Sequence, residues 1–443
     1  MKTKAEEFSH KPLILPQESH EVVLNHISNS ALKVLHRLHQ AHYDAYIVGG
    51  GVRDLILGEV PKDFDIATNA LPEQAHREFK NSRLIGRRFR LLHVRFGREI
   101  IEVATFRGHH SEIDDPEGDH ALVENGMIVR DNVFGNMEQD AWRRDFTINS
   151  LYFDVRNSTV VDYTGGFEDL KAKMIRIIGD PEQRYVEDPV RMLRAIRFAS
   201  KLNFTLAAAT EAPIEKLASK LNAVAPPRLF EEVLKLFMSG NGARAFDLSL
   251  HYGLFAPLFP QTFALLGDVS GVTSQDYQGN SVYQLIRNGL INTDKRIAEG
   301  KPVTPAFLFA ILLWEPVRVM ALRLQTSGMS LMQAYTVAGS DVVRDQCEHV
   351  FIPKRFSLQS REIWSFQLKL ANRAGRRAFR VLEQSRFRAA YDFLLLRNQS
   401  GESDLQELAQ WWTEFQQEPE SRREEMARQF QPPRRRRRRK RKP

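Results

Sequence analysis

Residues 45–65 read AYIVGGGVRDLILGEVPKDFD. Four apolar residues, Ala45 to Val48, run into Gly49, Gly50 and Gly51, the pattern of a short strand entering a glycine turn. Residues 52–58 then read as a helix closed by Gly58, and 62–68, KDFDIAT, alternate like a second strand. A strand, a glycine turn and a helix start offer backbone N–H groups to a polyphosphate, and Arg53 in the first helical turn adds charge. The third glycine of a dinucleotide fingerprint and the Gly-Lys-Ser/Thr of a P-loop are both missing. Asp63 and Asp65 stand two apart on the predicted strand and so share a face. Two carboxylates on one face suit a pair of Mg²⁺ ions about 3.5–4 Å apart.

Working outward, residues 31–42 carry Leu32, Leu35 and Leu38 at helical spacing, and 71–80 open on Pro72 and Glu73 as a helix start. LIGRRF, LLHVRF and EIIEVATF then read as three strands, the last carrying Glu102. Residues 109–125 hold six acids and no Lys or Arg, and are expected to form a mobile loop; His109, His110 and His120 there are not read as a metal site. From about residue 181 the pattern is almost purely helical. The expected fold is α+β: a head with a mixed β-sheet, then an all-α neck, body and C-terminal region, then a disordered basic tail.

The net charge of +8 is unevenly placed. Residues 434–442, starting at Arg434, Arg435 and Arg436, are nine cations without an acid, and the rest of the chain has 54 cations against 55 acids. Residues 351–400 carry 11 cations against 3 acids. Polyanion binding is therefore expected at those two places rather than over the whole surface. Cys347 is the one cysteine, which excludes an intrachain disulfide and points to a reducing, cytoplasmic location. The N-terminal residues lack the apolar segment of a secretory signal, and the apolar run 305–317 is short and contains Glu315, so it reads as a buried helix rather than a membrane span.

The GGGVRD and DFD motifs resemble the head of the class II nucleotidyltransferases, the superfamily of bacterial poly(A) polymerases and CCA-adding tRNA nucleotidyltransferases. Further motifs follow in order: Arg143-Arg144-Asp145, then EDPVR beginning at Glu187 and Asp188, then Arg228, Glu232 and Lys235. The resemblance implies that Asp63 and Asp65 hold metal, that Asp145 supplies a third carboxylate, and that Gly49, Gly50, Arg53, Arg144, Asp188, Arg191 and Arg194 bind nucleotide. Glu102 is a rival for the third carboxylate, and Asp145 has the bland reading of a salt bridge to Arg143 or Arg144. Asp188-Pro189 also reads as an N-cap and first helical residue, with Arg191 and Arg194 on one helical face.

Residues 84–94, with Arg87 and Arg88, resemble the segment that distinguishes poly(A) polymerases from the CCA-adding branch. The stretches 351–364 and 386–397 resemble the poly(A) polymerase C-terminal domain. There Arg373, Arg376, Arg377 and Arg380 fall at helical spacing, suited to single-stranded RNA. The neighbouring Phe366, Phe379, Phe387 and Tyr391 read as core more readily than as stacking platforms. The implied organisation is an arm (1–30), a catalytic head (31–180), a neck (181–240), a body (241–350), an RNA-binding region (351–433) and a tail (434–443). The implied reaction is template-independent transfer of AMP from ATP to RNA 3′ ends with two Mg²⁺ ions. RNA-degradation machinery is an expected partner and a membrane is not. CCA addition to tRNA, or a catalytically silent RNA-binding scaffold, are the competing readings.

Overall fold

The computed structural model describes residues 11–86, 90–108, 121–124, 127–131, 133–267 and 279–430. Two compact units divide the chain, residues 1–220 and 221–443.

The first unit opens with strand β1 (Leu13–Leu15) and helix α1 (Asn29–Gln40). Ser28 caps α1 by accepting from the Ala31 N–H at 3.1 Å, and Ala31, Val34, Leu35 and Leu38 form its buried stripe. Then come β2 (Ala45–Val48), α2 (Gly50–Ile56), β3 (Asp65–Thr68), α3 (Pro72–Glu78), β4 (Ser82–Ile85), β5 (Leu91–Phe96) and β6 (Glu99–Thr105). β7 (Ala121–Glu124) and β8 (Met127–Asp131) pair antiparallel, so the end of the expected 109–125 loop is a strand. α4 (Met137–Arg143), β9 (Leu151–Asp154), β10 (Thr159–Asp162), α5 (Gly166–Lys171), α6 (Pro181–Glu187) and α7 (Val190–Leu202) follow.

One eight-stranded sheet runs β1-β10-β9-β2-β3-β6-β5-β4. It is mixed, as expected: β3 and β6 are parallel and the other neighbouring pairs antiparallel. Leu13–Leu15, placed by sequence in an N-terminal arm, instead pair with β10 as an edge strand, because Leu15 finds a buried position there. Side chains alternate across the sheet with period two. Tyr46, Val48, Ala67 and Tyr152 meet Phe106 and Ala141 in one cluster, while Ile47 and Ile66, which pair with each other, point to the other side.

The second unit is helical among its described residues. The apolar run 305–317 is buried but forms two helices, Pro305–Leu312 and Trp314–Thr326. Pro316 has no N–H, and its ring clashes with the carbonyl four residues back, so the first helix stops at Leu312. Glu315 is buried and paired with Arg318 at 2.7 Å. No single helix is long and apolar enough to cross a membrane among the described residues. Phe366, Phe387 and Tyr391 lie in a buried cluster with Trp411, Trp412 and Phe415, and Phe379 packs against it, so these aromatics are core.

Candidate active site

The register places five residues in one row across five adjacent strands. Tyr152 on β9 faces Val48 on β2, Val48 faces Asp65 on β3, Asp65 lies beside Glu102 on β6, and Glu102 faces His93 on β5. Directly opposed residues project from the same face. Along this row Tyr152 and Val48 are buried, whereas Asp65 is open to solvent. Asp65 therefore marks the mouth of the site.

The strand carrying Asp65 begins at that residue, so Asp63 lies in the loop before it rather than two positions along the strand. The alternation survives nonetheless: Asp63 and Asp65 are exposed while Phe64 and Ile66 are buried. Although Asp65 as a residue reaches solvent, the protein packed around its carboxyl strips part of its hydration; that desolvation, then Glu102 and then Asp63, push the carboxyl up to about 6 from its ordinary 3.8, against an opposing pull from Arg144. Glu102 accepts from His93 Nε2 at 3.0 Å.

Asp145 is engaged elsewhere. Its Oδ2 pairs with Arg194 at 2.5 Å, and its Oδ1 accepts from the Phe146 N–H at 2.8 Å and from Asn149 Nδ2 at 3.4 Å. The salt bridge is thus with Arg194, not with Arg143 or Arg144. Burial would raise this carboxyl, but Arg194, together with the Phe146 N–H and Asn149, holds it below its ordinary range.

Gly49 links β2 to α2 at φ 72°, ψ −136°, a backbone conformation that L side chains rarely adopt. A Cβ there would lie 3.6 Å from Arg144 Nη1 and 3.9 Å from Asp65 Oδ2, so the Gly49 turn borders both groups. Arg53 does not reach out beside it. It is buried, it donates to Asp54 at 2.6 and 2.8 Å and to Asn149 Oδ1 at 2.7 Å, and it lies 5.4 Å from the Phe198 ring. Arg53 ties α2 to α7 and to the segment after α4, a role its place in the first turn of α2 did not reveal. Gly50 faces the Arg53 guanidinium, with a virtual Cβ 3.4 Å from Nη2.

Asp140 and Arg144 stand one helical turn apart at the end of α4. Arg144 donates through Nε and Nη2 to Asp140 Oδ2 at 3.1 and 2.9 Å. An acid four residues before an arginine is a legible helical pair, and it was the available signal for Asp140. Nothing local marked Tyr152, Asn149 or His93.

At the neck, α6 and α7 meet at Asp188. That residue closes α6 rather than capping α7, and Asp180-Pro181 is the pair that starts a helix, with Asp180 accepting from the Gln183 N–H at 2.8 Å. Arg191 donates to the Arg184 carbonyl at 2.8 Å and to Glu187 at 3.1 Å. Arg184 donates in turn to the carbonyls of Arg143 and Arg144 at 2.8 and 2.6 Å, which locks α6 against the end of α4. Arg191 and Arg194 thus do emerge together from α7, each held by an acid of the head or neck.

In the second unit, Arg376, Arg377 and Arg380 are exposed. Arg373 is different: it pairs with Glu407 at 2.7 Å and lies 4.0 Å from the Phe430 ring centroid. Lys235 and Glu232 form an intrahelical pair at 2.9 Å. Arg87, Arg88, His109, His110, His120, Arg434, Arg435 and Arg436 lie outside the described residues.

Comparison with known proteins covers most of the chain. Family models match residues 45–176 (poly A polymerase head domain), 203–266 (probable RNA and SrmB-binding site of polymerase A) and 327–443 (polymerase A arginine-rich C-terminus). The Poly(A) polymerase I of Salmonella typhimurium is 50% identical over 408 residues, 91% of this chain and 85% of its own length. The CCA-adding enzyme of Lactobacillus helveticus is 38% identical over 220 residues, 50% of this chain and 52% of its own. Among solved structures, the Thermotoga maritima CCA-adding enzyme complexed with tRNA shares the fold at TM-score 0.60 and 18% identity, covering 92% of this chain and 87% of that one.

Proposed function

The chain belongs to the bacterial poly(A) polymerase family, and from that premise we propose how its side chains carry the reaction. It is a template-independent nucleotidyltransferase that adds AMP to RNA. The observation that carries the assignment is the side-by-side pair Asp65–Glu102 on the interior strands β3 and β6, bordered by the Gly49 turn. Asp63, Asp65 and Glu102 are hard oxygen donors; burial, then Glu102 and Asp63, raise the Asp65 carboxyl, and a divalent cation would offset the like charge of the three. Among the described residues no group of three or more His, Cys, Asp or Glu encloses a metal by itself. Mg²⁺ does not need such an enclosure, because it keeps positions for water and substrate oxygens. Asp63 and Asp65 would hold two Mg²⁺ ions, with Glu102 rather than Asp145 as the third carboxylate. Bound there, the ions supply a lowered pKa for the RNA 3′-hydroxyl and counter-charge for the triphosphate.

The remaining groups bind and orient. ATP lies with its phosphates toward the Gly49–Gly50 turn and Arg144 Nη1. Asp188, Arg191 and Arg194 face the base, so that protein contacts take the place of a template. The RNA 3′-oxygen attacks the α-phosphorus in line, the bond to the bridging oxygen breaks, and pyrophosphate leaves. Asp145 aims Arg194 rather than taking part at the phosphorus. Arg376, Arg377, Arg380 and the run beginning Arg434-Arg435-Arg436 hold RNA by charge, with Arg87 and Arg88 steering primer near the head.

Purified protein given each NTP separately, with an A-ended RNA and with tRNA lacking its terminus, is the test. Long oligo(A) on both RNAs, abolished by Asp65→Asn, is the expected result. Short CTP-dependent addition confined to tRNA, or undiminished activity in that variant, would overturn the reading.

A further inference from the structure

Tyr152 occupies the buried end of the cross-strand row, two places from Asp65. Its ring is fully buried, set edge-on to Tyr46 at 6.4 Å and to Phe106 at 6.3 Å, so the hydroxyl has a fixed place. That hydroxyl donates to Asp140 Oδ2 at 2.6 Å and accepts from Arg144 Nε at 3.0 Å. Asp140 Oδ2 also receives Arg144 Nη2 at 2.9 Å, and Asp140 Oδ1 receives the Arg107 N–H at 3.1 Å. The Arg144 guanidinium lies 5.2 Å from the Tyr152 ring centroid.

The Tyr152 hydroxyl, the Asp140 carboxylate and the Arg144 guanidinium thus close a triangle. Nε and both hydrogen-bonding edges toward Asp140 are spent inside the protein. Nη1 points the other way; among the described residues its one hydrogen bond is a long 3.4 Å contact to the Asn149 carbonyl, and it lies beside the Gly49 turn and Asp65. The carboxylate of Asp140 neutralises Arg144 overall, so the arrangement does not maximise attraction for an anion. What it secures is direction: one N–H-bearing nitrogen, held on a side chain that has lost its rotational freedom. Burial above all keeps the Tyr152 hydroxyl protonated well beyond neutral pH, so it remains a donor to Asp140 under all working conditions.

We infer that Tyr152 and Asp140 are positioning residues that clamp Arg144 so that Nη1 meets the phosphates of the incoming nucleoside triphosphate. The inference rests on the reading that Arg144 contacts that nucleotide. Pre-orienting a charged donor spares the ordering cost when the ligand arrives, which is the physical benefit of such a clamp. A group that holds substrate and transition state alike changes KM more than kcat.

The test is a double-mutant cycle on the full chain with steady-state ATP kinetics on a saturating A-ended primer. Tyr152→Phe removes one oxygen from a buried ring. It is expected to raise KM for ATP about five- to tenfold, the size of one ordinary net hydrogen bond, while kcat falls less than about threefold. Arg144→Gln is expected to raise KM at least as much. In the Arg144→Gln background Tyr152→Phe should then add less than about twofold. Asp140→Asn provides a second route to the same KM effect should Tyr152→Phe melt below the assay temperature. If Arg144→Gln raises KM but neither Tyr152→Phe nor Asp140→Asn does, the clamp is refuted while the nucleotide contact stands. If the Tyr152→Phe effect persists in full on top of Arg144→Gln, Tyr152 acts through the fold and the inference is overturned. If Arg144→Gln itself leaves KM unchanged, the underlying contact is wrong and the inference falls with it.

Discussion

The Arg194–Asp145 pair joins α7 to the segment between α4 and β9, and breaking it has a calculable consequence. A buried pair that loses one partner costs about 3–5 kcal/mol, whereas an exposed pair is worth about 0–1 kcal/mol. Here Asp145 is 14% exposed and Arg194 37% exposed, so the pair lies between those limits. Asp145 would also keep the Phe146 N–H and the Asn149 amide after Arg194 is removed. Discounting for both, Arg194→Met should cost the head about 2 kcal/mol, and coupling to Asp145→Asn in a double-mutant cycle should account for most of it. The sign of the pH dependence follows from the direction of the shift. The Asp145 carboxyl is held below its ordinary 3.8, so its stabilisation is present above that pH and fades as pH falls through the folded value. The gap between parent and variant should therefore be full at pH 7 and narrow in acid. Because the two units need not melt together, the readout is hydrogen exchange of the peptide spanning residues 145–154. About 2 kcal/mol corresponds to exchange faster by about 30-fold. A change under about twofold at pH 7, or a gap that widens on acidification, would refute the reasoning.

Glu102→Gln should lower AMP incorporation by at least about 100-fold and raise the Mg²⁺ concentration for half-activity, while Asp145→Asn should shift KM for ATP and leave that Mg²⁺ midpoint in place; the reverse pattern in a metal titration would return Asp145 to the metal. Gly49→Ala forces a side chain into a glycine-type conformation at the mouth of the site, so a stability loss of about 1–3 kcal/mol in thermal melts should accompany a larger loss of activity. Combined Arg376→Ala, Arg377→Ala and Arg380→Ala should weaken RNA binding and flatten its dependence on log salt by about 2, with kcat on saturating primer retained, as read by fluorescence anisotropy.

Much of the head was legible along the chain because its signals are local. The Gly49 turn follows from glycines placed after an apolar strand. The pairing of Asp63 with Asp65 on one face follows from alternation, which held even though the strand begins only at Asp65. The helical character after residue 181 follows from repeated amphipathic spacing. Boundaries were less secure: Asp188-Pro189 and Asp180-Pro181 carry the same dipeptide, and only the second opens a helix with a capping bond. The break at Leu312 was equally available in principle, since Pro316 lies four residues beyond it.

The choice between Glu102 and Asp145 could not be made that way. Both are acids near the motif, and local spacing treats them alike. Strand register places Glu102 beside Asp65, while a residue 49 positions after Asp145, Arg194, takes Asp145 for itself. Arg53 shows the same limit: its sequence position suggested a ligand contact, but the packing of α2 against α7 buries it on Asp54 and Asn149. Tyr152 carried no local mark at all, because its meaning lies in facing Val48 across one strand boundary and so standing in line with Asp65. The sequence by itself determined which chemical groups this chain carries and the elements on which they ride, since turns and periodicity act over a few residues. Only the tertiary structure decided which carboxylate stands beside Asp65 and which meets arginine, because charges pair by distance in space and the sheet register sets that distance.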